Sequence, residues 1–285
     1  MQFTRRLSST RVPARQAVQL TFLLINLWMG LLFWLWVRAH EAGSVPAVAR
    51  PGGIEGWLPI AGLMNTWAWA QSGRVPAVHP AAAILFVVFL LASVLFRKAF
   101  CGWLCPIGTL SERLWKFGRK NFRRNWYPPR WLDLALRAPK YLVLGFFLWA
   151  IWPMDAVAIG AFMSSPYGQA ADIRLLEFFR HMSVTAAAVI GIMAIGSVFV
   201  PNFWCKYFCP YGALMGLASL ASPLRITRTP AACIDCGKCA RVCPSHLAVD
   251  QLVQIRSAEC LGCLDCVAAC PVEGALDLAA PGRRV

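Results

Sequence analysis

The reactive groups of this chain are its twelve cysteines, and all of them fall inside four short motifs. Eight lie in two consecutive Cys-x2-Cys-x2-Cys-x3-Cys-Pro runs. These are Cys233, Cys236, Cys239 and Cys243 before Pro244, then Cys260, Cys263, Cys266 and Cys270 before Pro271. In this spacing the first three thiolates of a run bind one [4Fe–4S] cluster and the fourth crosses to the neighbouring cluster. The spacing therefore predicts two clusters, one on Cys233, Cys236, Cys239 and Cys270, the other on Cys260, Cys263, Cys266 and Cys243. Structural zinc modules use a two-plus-two spacing instead, so the doubled run reads as an electron carrier.

The other four cysteines sit in an internal repeat. Phe100 to Leu110 aligns with Trp204 to Leu214, giving C-x3-C-P-x-G-x-L twice: Cys101, Cys105 and Pro106, then Cys205, Cys209 and Pro210. Residues four apart share one face of a helix, so each pair is expected on one face, with its proline ending the helix. The two pairs then form either a shared four-thiolate metal or redox site, or small apolar packing residues. His79 and His181 precede the apolar stretches that lead to these motifs, across a membrane thickness from the cysteines. Their expected role is that of wet interface residues, with haem or quinol ligation as the alternative.

These motifs must be held by membrane helices. Of the 285 residues, 58% are hydrophobic and 14% charged, and the mean hydropathy is +0.55, too apolar for an ordinary soluble domain with about 25% charged residues. Residues 17–37 carry no formal charge and cover the roughly 20 residues a spanning helix needs. Further spans are expected at about 80–96, 140–162 and 182–203, the third interrupted near one end by Pro153 and Asp155. Four spans leave both termini on one side. That side collects 23 of the 28 basic residues, including Arg5, Arg6, Arg11, Arg15 and the group from Arg97 to Lys140. Positive charge marks the cytoplasmic side, where thiols also stay reduced. A secretory signal would have a shorter apolar core, so the first span is expected to stay as an anchor.

The net charge of +15 flanks apolar spans instead of forming the basic stripe of a nucleic-acid domain. The stretch from Arg113 to Arg130 is expected to meet anionic lipid headgroups. Trp57 to Gln71 is too short and broken to span and reads as an amphipathic segment, and Tyr211 to Ser222 as an interfacial link to the cluster runs. A carboxylate in an apolar stretch, as at Asp155, is a functional candidate by default, but Asp155 lies about 22 Å along the helix from Lys140, near the outer interface, where water solvating it is the alternative. No G-x-G-x-x-G, Walker motif or Cys-x-x-Cys-His is present, so electrons are expected to come and go by outside donors and acceptors.

The repeated C-x3-C-P motifs together with both cluster runs resemble the NapH-type polyferredoxin family, the membrane ferredoxin subunits linked to quinol dehydrogenation, over about residues 17–275. The chain is also similar to the membrane half of the nitrous-oxide-reductase regulator family. The large outer flavin domain of those proteins has no counterpart in this sequence. The resemblance implies membrane electron transfer. The expected fold is mainly α. Residues 1–222 form a four-helix transmembrane anchor, and residues 223–285 a small α+β, ferredoxin-like 2[4Fe–4S] domain on the cytoplasmic face of a bacterial inner membrane. The expected function is electron transfer between the quinone pool and a redox partner protein, as a component of an oxidoreductase and not a stand-alone enzyme. The alternative is an assembly factor whose Cys101, Cys105, Cys205 and Cys209 reduce a metal or thiol for another membrane complex. Membrane lipid and quinone are the expected partners besides, and nucleic acid is not.

Overall fold

A computed structural model describes residues 2–123 and 125–279, with side chains from Ala14 onward. The side chains of Arg5, Arg6 and Arg11, and all of Arg124, Arg283 and Arg284, which enter the basic count, lie outside the described residues. The chain folds into α1 (Gln2–Glu41), α2 (Pro59–Ser72), α3 (Pro80–Phe96), α4 (Pro106–Phe122), α5 (Arg130–Ile151), α6 (Ala156–Ser164), α7 (Pro166–Gln169), α8 (Ala171–Arg180), α9 (Val184–Phe199), α10 (Phe203–Tyr207) and α11 (Pro210–Ala218). The C-terminal segment adds β1 (Arg225–Arg228), α12 (Lys238–Val242), α13 (Asp265–Ala268) and β2 (Leu276–Ala279).

Among the described residues two helices are long and apolar enough to cross a membrane, Ala14–Glu41 within α1 and α5. A third span results if α8 and α9, bent by 85° at their junction, are taken together. α3 begins and ends where the sequence places it but has 17 residues, fewer than the roughly 20 of a straight span. Leu24, Leu27 and Trp28 of α1 and Leu142, Phe146 and Trp149 of α5 are all more than half exposed. Apolar belts of this kind are absent from soluble surfaces and fit a lipid boundary. The chain is thus mainly helical, with two or three candidate membrane spans among the described residues.

The third expected span needs correction. Its helix runs from Arg130 to Ile151 instead of 140–162. The chain turns at Trp152 and Pro153, and the Asp155 carboxylate accepts the Ala158 N–H at 2.6 Å as the N-cap of α6. Asp155 is therefore a helix-starting residue, not a carboxylate buried in a span. Likewise the segment expected to be amphipathic is an apolar helix, α2. Its Ala61, Met64 and Ala68 pack with Ile151, Ile159 and Met163.

The chain forms two compact units. One contains Met1–Leu23, Leu90–Tyr141 and Ile192–Val285, the other Leu24–Phe89 and Leu142–Gly191. All twelve cysteines belong to the first. Inside it, α4 approaches the end of α9 so closely that a Cβ on Gly118 would lie 2.0 Å from the Val198 carbonyl oxygen. That neighbour is backbone and cannot rotate away. Gly118→Ala should therefore lower stability by about 1–3 kcal/mol, read as a fall in the thermal midpoint of the purified protein. An unchanged midpoint would refute this close approach.

Candidate functional site

Both cysteine runs of the C-terminal segment adopt the same backbone form. Asp235 (φ 49°) and Gly237 (φ 64°) flank Cys236, and Gly262 (φ 61°) and Leu264 (φ 63°) flank Cys263, all left-handed. Gly237 and Leu264 are also the N-caps of α12 and α13. Backbone that alternates in hand turns successive N–H groups to one side and makes a concavity suited to an anionic iron–sulfur core. Glycine takes this form freely, whereas Leu264 adopts it at a steric cost.

The thiols ring two voids, and the grouping alternates between the runs. Cys233, Cys236, Cys239 and Cys270 line one of about 320 Å³. Cys243, Cys260, Cys263 and Cys266 line the other, of about 380 Å³. The walls are otherwise largely apolar, with Ile234 and Val272 at the first and Ile226, Val249 and Ile255 at the second. The antiparallel pair β1–β2, with Ile226 opposite Leu278, closes the segment. The Ile255 N–H donates to the Ile226 carbonyl at 2.9 Å and ties in the chain between the runs. Among the described residues no three thiol, imidazole or carboxylate groups gather around a single metal ion. An all-thiol donor set standing apart around an apolar void fits a polynuclear cluster with four cysteine ligands.

The C-x3-C-P cysteines do not share helix faces. Cys101 lies in a single π-helical turn, Phe100–Leu104, and Cys205 in the short α10. Cys105 and Cys209 are the N-caps of α4 and α11. Pro106 and Pro210 therefore start helices instead of ending them, because the first helical position has no N–H bond to lose and needs the φ that proline supplies. The Gly212 N–H donates to the Cys209 sulfur at 3.2 Å.

The four thiols nevertheless come together: the residues are half-buried, and each thiol is within electrostatic reach of the others. Burial pushes the Cys101 thiol up to about 12 and the Cys105 thiol up to about 11. Freely reacting cysteines are exposed and have lowered pKa values, the reverse of what is found here. A coordinated metal would instead deprotonate these thiols outright.

Three of the basic residues counted on the cytoplasmic side are inside the protein. Arg97, Lys98 and Lys140 are 1%, 2% and 0% exposed. Lys98 lies within electrostatic reach of Cys101, Cys205 and Cys209, and its Nζ is 3.9 Å from the Glu259 carboxylate. Lys140 Nζ donates to Glu259 at 2.5 Å, and Arg137 stands 4.0 Å away. Burial pushes the Glu259 carboxyl up, but Lys98 and Lys140 outweigh it and hold the group below the usual carboxylate range. Glu259 immediately precedes Cys260, so one carboxylate joins the surroundings of the C-x3-C-P thiols to the second void. Arg97 donates to the carbonyls of Ile255 and Ser257, each at 3.1 Å. Gly102 and Gly216 sit so close to this stretch that a Cβ on either would lie 2.6 Å from the carbonyl oxygens of Leu261 and Ala258.

In the second unit, His181 is exposed as expected and His79 is not. His79 is 4% exposed, with Nε2 2.9 Å from the Gly168 carbonyl and Nδ1 3.3 Å from Glu55. Glu55 also accepts the Ala82 N–H, and Arg50 binds both Glu55 and Asp172. His79 Nδ1 faces the Glu55 carboxylate at 3.3 Å and the Arg50 guanidinium at 3.2 Å, and the two acceptors, Glu55 and the Gly168 carbonyl, favour the imidazolium. The hydrogen bond to Glu55 raises the His79 pKa above 6.5 against the opposing effect of burial. Burial pushes Glu55 up, but His79 and Arg50 bring it below 4.5. The stability from His79 is complete below about pH 6.5 and lost as pH rises through its folded pKa. That from Glu55 is complete above about pH 4.5 and lost on acidification. A ¹⁵N NMR titration should give His79 a midpoint above 6.5, and a midpoint at or below that value would contradict the clamp.

Comparison with known proteins agrees with this geometry. A family model described as a 4Fe-4S binding domain matches residues 78–125 and 183–228, which hold the two C-x3-C-P repeats. A 4Fe-4S dicluster domain model matches residues 225–271. YccM of Escherichia coli (strain K12), named for electron transport, is 51% identical over 246 residues, covering 86% of this chain and 69% of that one. The ferredoxin-type protein NapH of Haemophilus influenzae is 25% identical over 81% of this chain and 73% of its own. The regulatory protein NosR of Pseudomonas aeruginosa is 32% identical over 56% of this chain but only 22% of its own length. No solved structure matches. With two thiol-ringed voids on a helical membrane scaffold and a relative half identical across most of its length, the chain belongs to the NapH/NosR-like family of ferredoxin-type membrane proteins.

Proposed function

We propose that the chain carries electrons between the quinone pool and a redox partner protein through two [4Fe–4S] clusters, held by Cys233, Cys236, Cys239 and Cys270 and by Cys243, Cys260, Cys263 and Cys266. The observation that carries this reading is the alternating grouping of eight thiols around two voids, which matches the crossed ligation expected of the doubled spacing. A bound cluster supplies reversible one-electron chemistry. The chain's own part is to hold the thiolates in apolar walls, turn backbone N–H groups toward them and keep water out, the factors that set the potential.

Cys101, Cys105, Cys205 and Cys209 are assigned a further metal or cluster, supported by their grouping and by the buried Lys98, whose charge offsets that of a four-thiolate centre. Gly102 and Gly216 bring this site against residues 258–261 beside the second void, a short route for electrons. Four spans, with residues 1–222 as anchor, residues 223–285 as a cytoplasmic ferredoxin-like domain and both termini inside, complete the proposal. Anaerobic purification of the full chain, iron analysis, and EPR during a potential titration with a quinol analogue test it. About eight or more irons and quinol-reducible signals are expected. About four or fewer, or signals reduced by dithionite alone, would overturn it.

A further inference from the structure

α1 and α4 border a cleft of about 250 Å³ in the first unit, open to solvent. Gln16 and Gln19 line it from α1, and Glu112, Arg113, Lys116 and Lys120 from α4. Gln16 and Gln19 stand where the apolar run of α1 begins, at the level where a polar headgroup on an apolar tail would rest. The polar groups converge on one carboxylate. Gln19 Nε2 donates to Glu112 at 2.9 Å and to the Gly102 carbonyl at 3.0 Å, and Lys116 Nζ donates to Glu112 at 2.5 Å.

Behind the carboxylate is a path to the cysteines. Arg15, 1% exposed, pairs with Glu112 and lies 3.5 Å from Asp265, which directly precedes Cys266. Arg15 also reaches the carbonyl of Gly102, the neighbour of Cys101, at 3.4 Å. The cleft thus backs onto both the second void and the C-x3-C-P loop.

From this arrangement we infer that the cleft is a quinol site in which Lys116 and the side-chain carbonyl of Gln19 hold the headgroup hydroxyls and Glu112 accepts a proton. The inference rests on the proposed quinone-linked function and gives it a location. A phospholipid phosphate would suit the basic rim but meets the Glu112 carboxylate on the wall. A neutral quinol that must lose protons suits both, since cations stabilise the charge that develops as its first O–H bond breaks. In the step two O–H bonds break and the quinone forms. One proton passes to Glu112 and on to water at the open side, the other to water directly. The two electrons reduce two oxidised [4Fe–4S] centres of the C-terminal segment, one each, and the partner protein reoxidises them.

The test uses the anaerobically purified full chain. Binding is followed with the quinol-site inhibitor 2-heptyl-4-hydroxyquinoline N-oxide, and reduction by EPR with decylubiquinol and with menadiol. Gln16→Trp places a bulky group in the cleft from an exposed position and leaves the buried ion pairs intact. It should weaken inhibitor binding by about tenfold or more, with iron content and dithionite-reduced signals unchanged. Glu112→Gln should retain inhibitor binding and slow quinol-driven reduction by about a hundredfold. If wild type is reduced by quinol and Gln16→Trp retains both affinity and rate, the site lies elsewhere and the inference fails. Loss of co-purifying anionic phospholipid from Gln16→Trp, with quinol reduction unaffected, would overturn it in favour of a lipid. If wild type neither binds the inhibitor nor accepts electrons from either quinol, the wider quinone reading fails instead.

Discussion

Cys270→Ala should remove the iron–sulfur centre ringed by Cys233, Cys236 and Cys239, the run to which it does not belong, and leave the other centre loaded. The expectation follows from the void that Cys270 lines together with those three thiols, while Cys243 faces the void of Cys260, Cys263 and Cys266. Ligation run by run would predict the opposite partners. Iron in the anaerobically purified full chain should fall by about four atoms. Double variants identify which four. If Cys270 and Cys236 serve one centre, Cys270→Ala with Cys236→Ala loses no more iron than either alone, because the second change removes a ligand from a site already lost. Cys270→Ala with Cys263→Ala should lose about eight. The reverse pattern would assign each run its own cluster and contradict the crossed arrangement.

The grouping of the eight C-terminal cysteines around two voids was legible because its signature is local: three thiols separated by two residues each and a fourth before proline. The first-span helix was equally legible, because an uncharged run of 21 residues needs no partner to declare itself. What failed depended on neighbours distant in sequence. Lys98 and Lys140 enter the positive-inside count by position along the chain, which carries no information on burial. Their burial is set by Glu259, more than a hundred residues away. Nor could the spacing show that Cys101 and Cys105 lie on either side of a helix break. A period of four suggests one helical face, but Pro106 is comfortable only at the first turn of a new helix. His79 looked like a wet interface residue because its acceptors, Glu55 and the Gly168 carbonyl, arrive from separate segments.

Replacing any one of Cys101, Cys105, Cys205 and Cys209 by Ser should impair quinol-linked electron transfer about as severely as replacing all four, since groups that act as one unit are strongly non-additive. The four thiols lie within electrostatic reach of one another, and three of them of the buried Lys98, so a centre held by only three of them would lose a charge that this cation offsets. If they serve only as packing residues, each Cys→Ser change would have a separate cost of about 1–3 kcal/mol for burying a hydroxyl without a partner. Those costs would add, and electron transfer would survive in every single variant. The EPR signals of the two C-terminal centres should persist in all five proteins, which separates loss of this site from loss of the fold. Lys98→Met completes the argument, because it removes the charge and keeps the four sulfurs. With a bound anionic centre it should lower that centre's reduction potential, whereas with neutral thiols there would be no signal to shift.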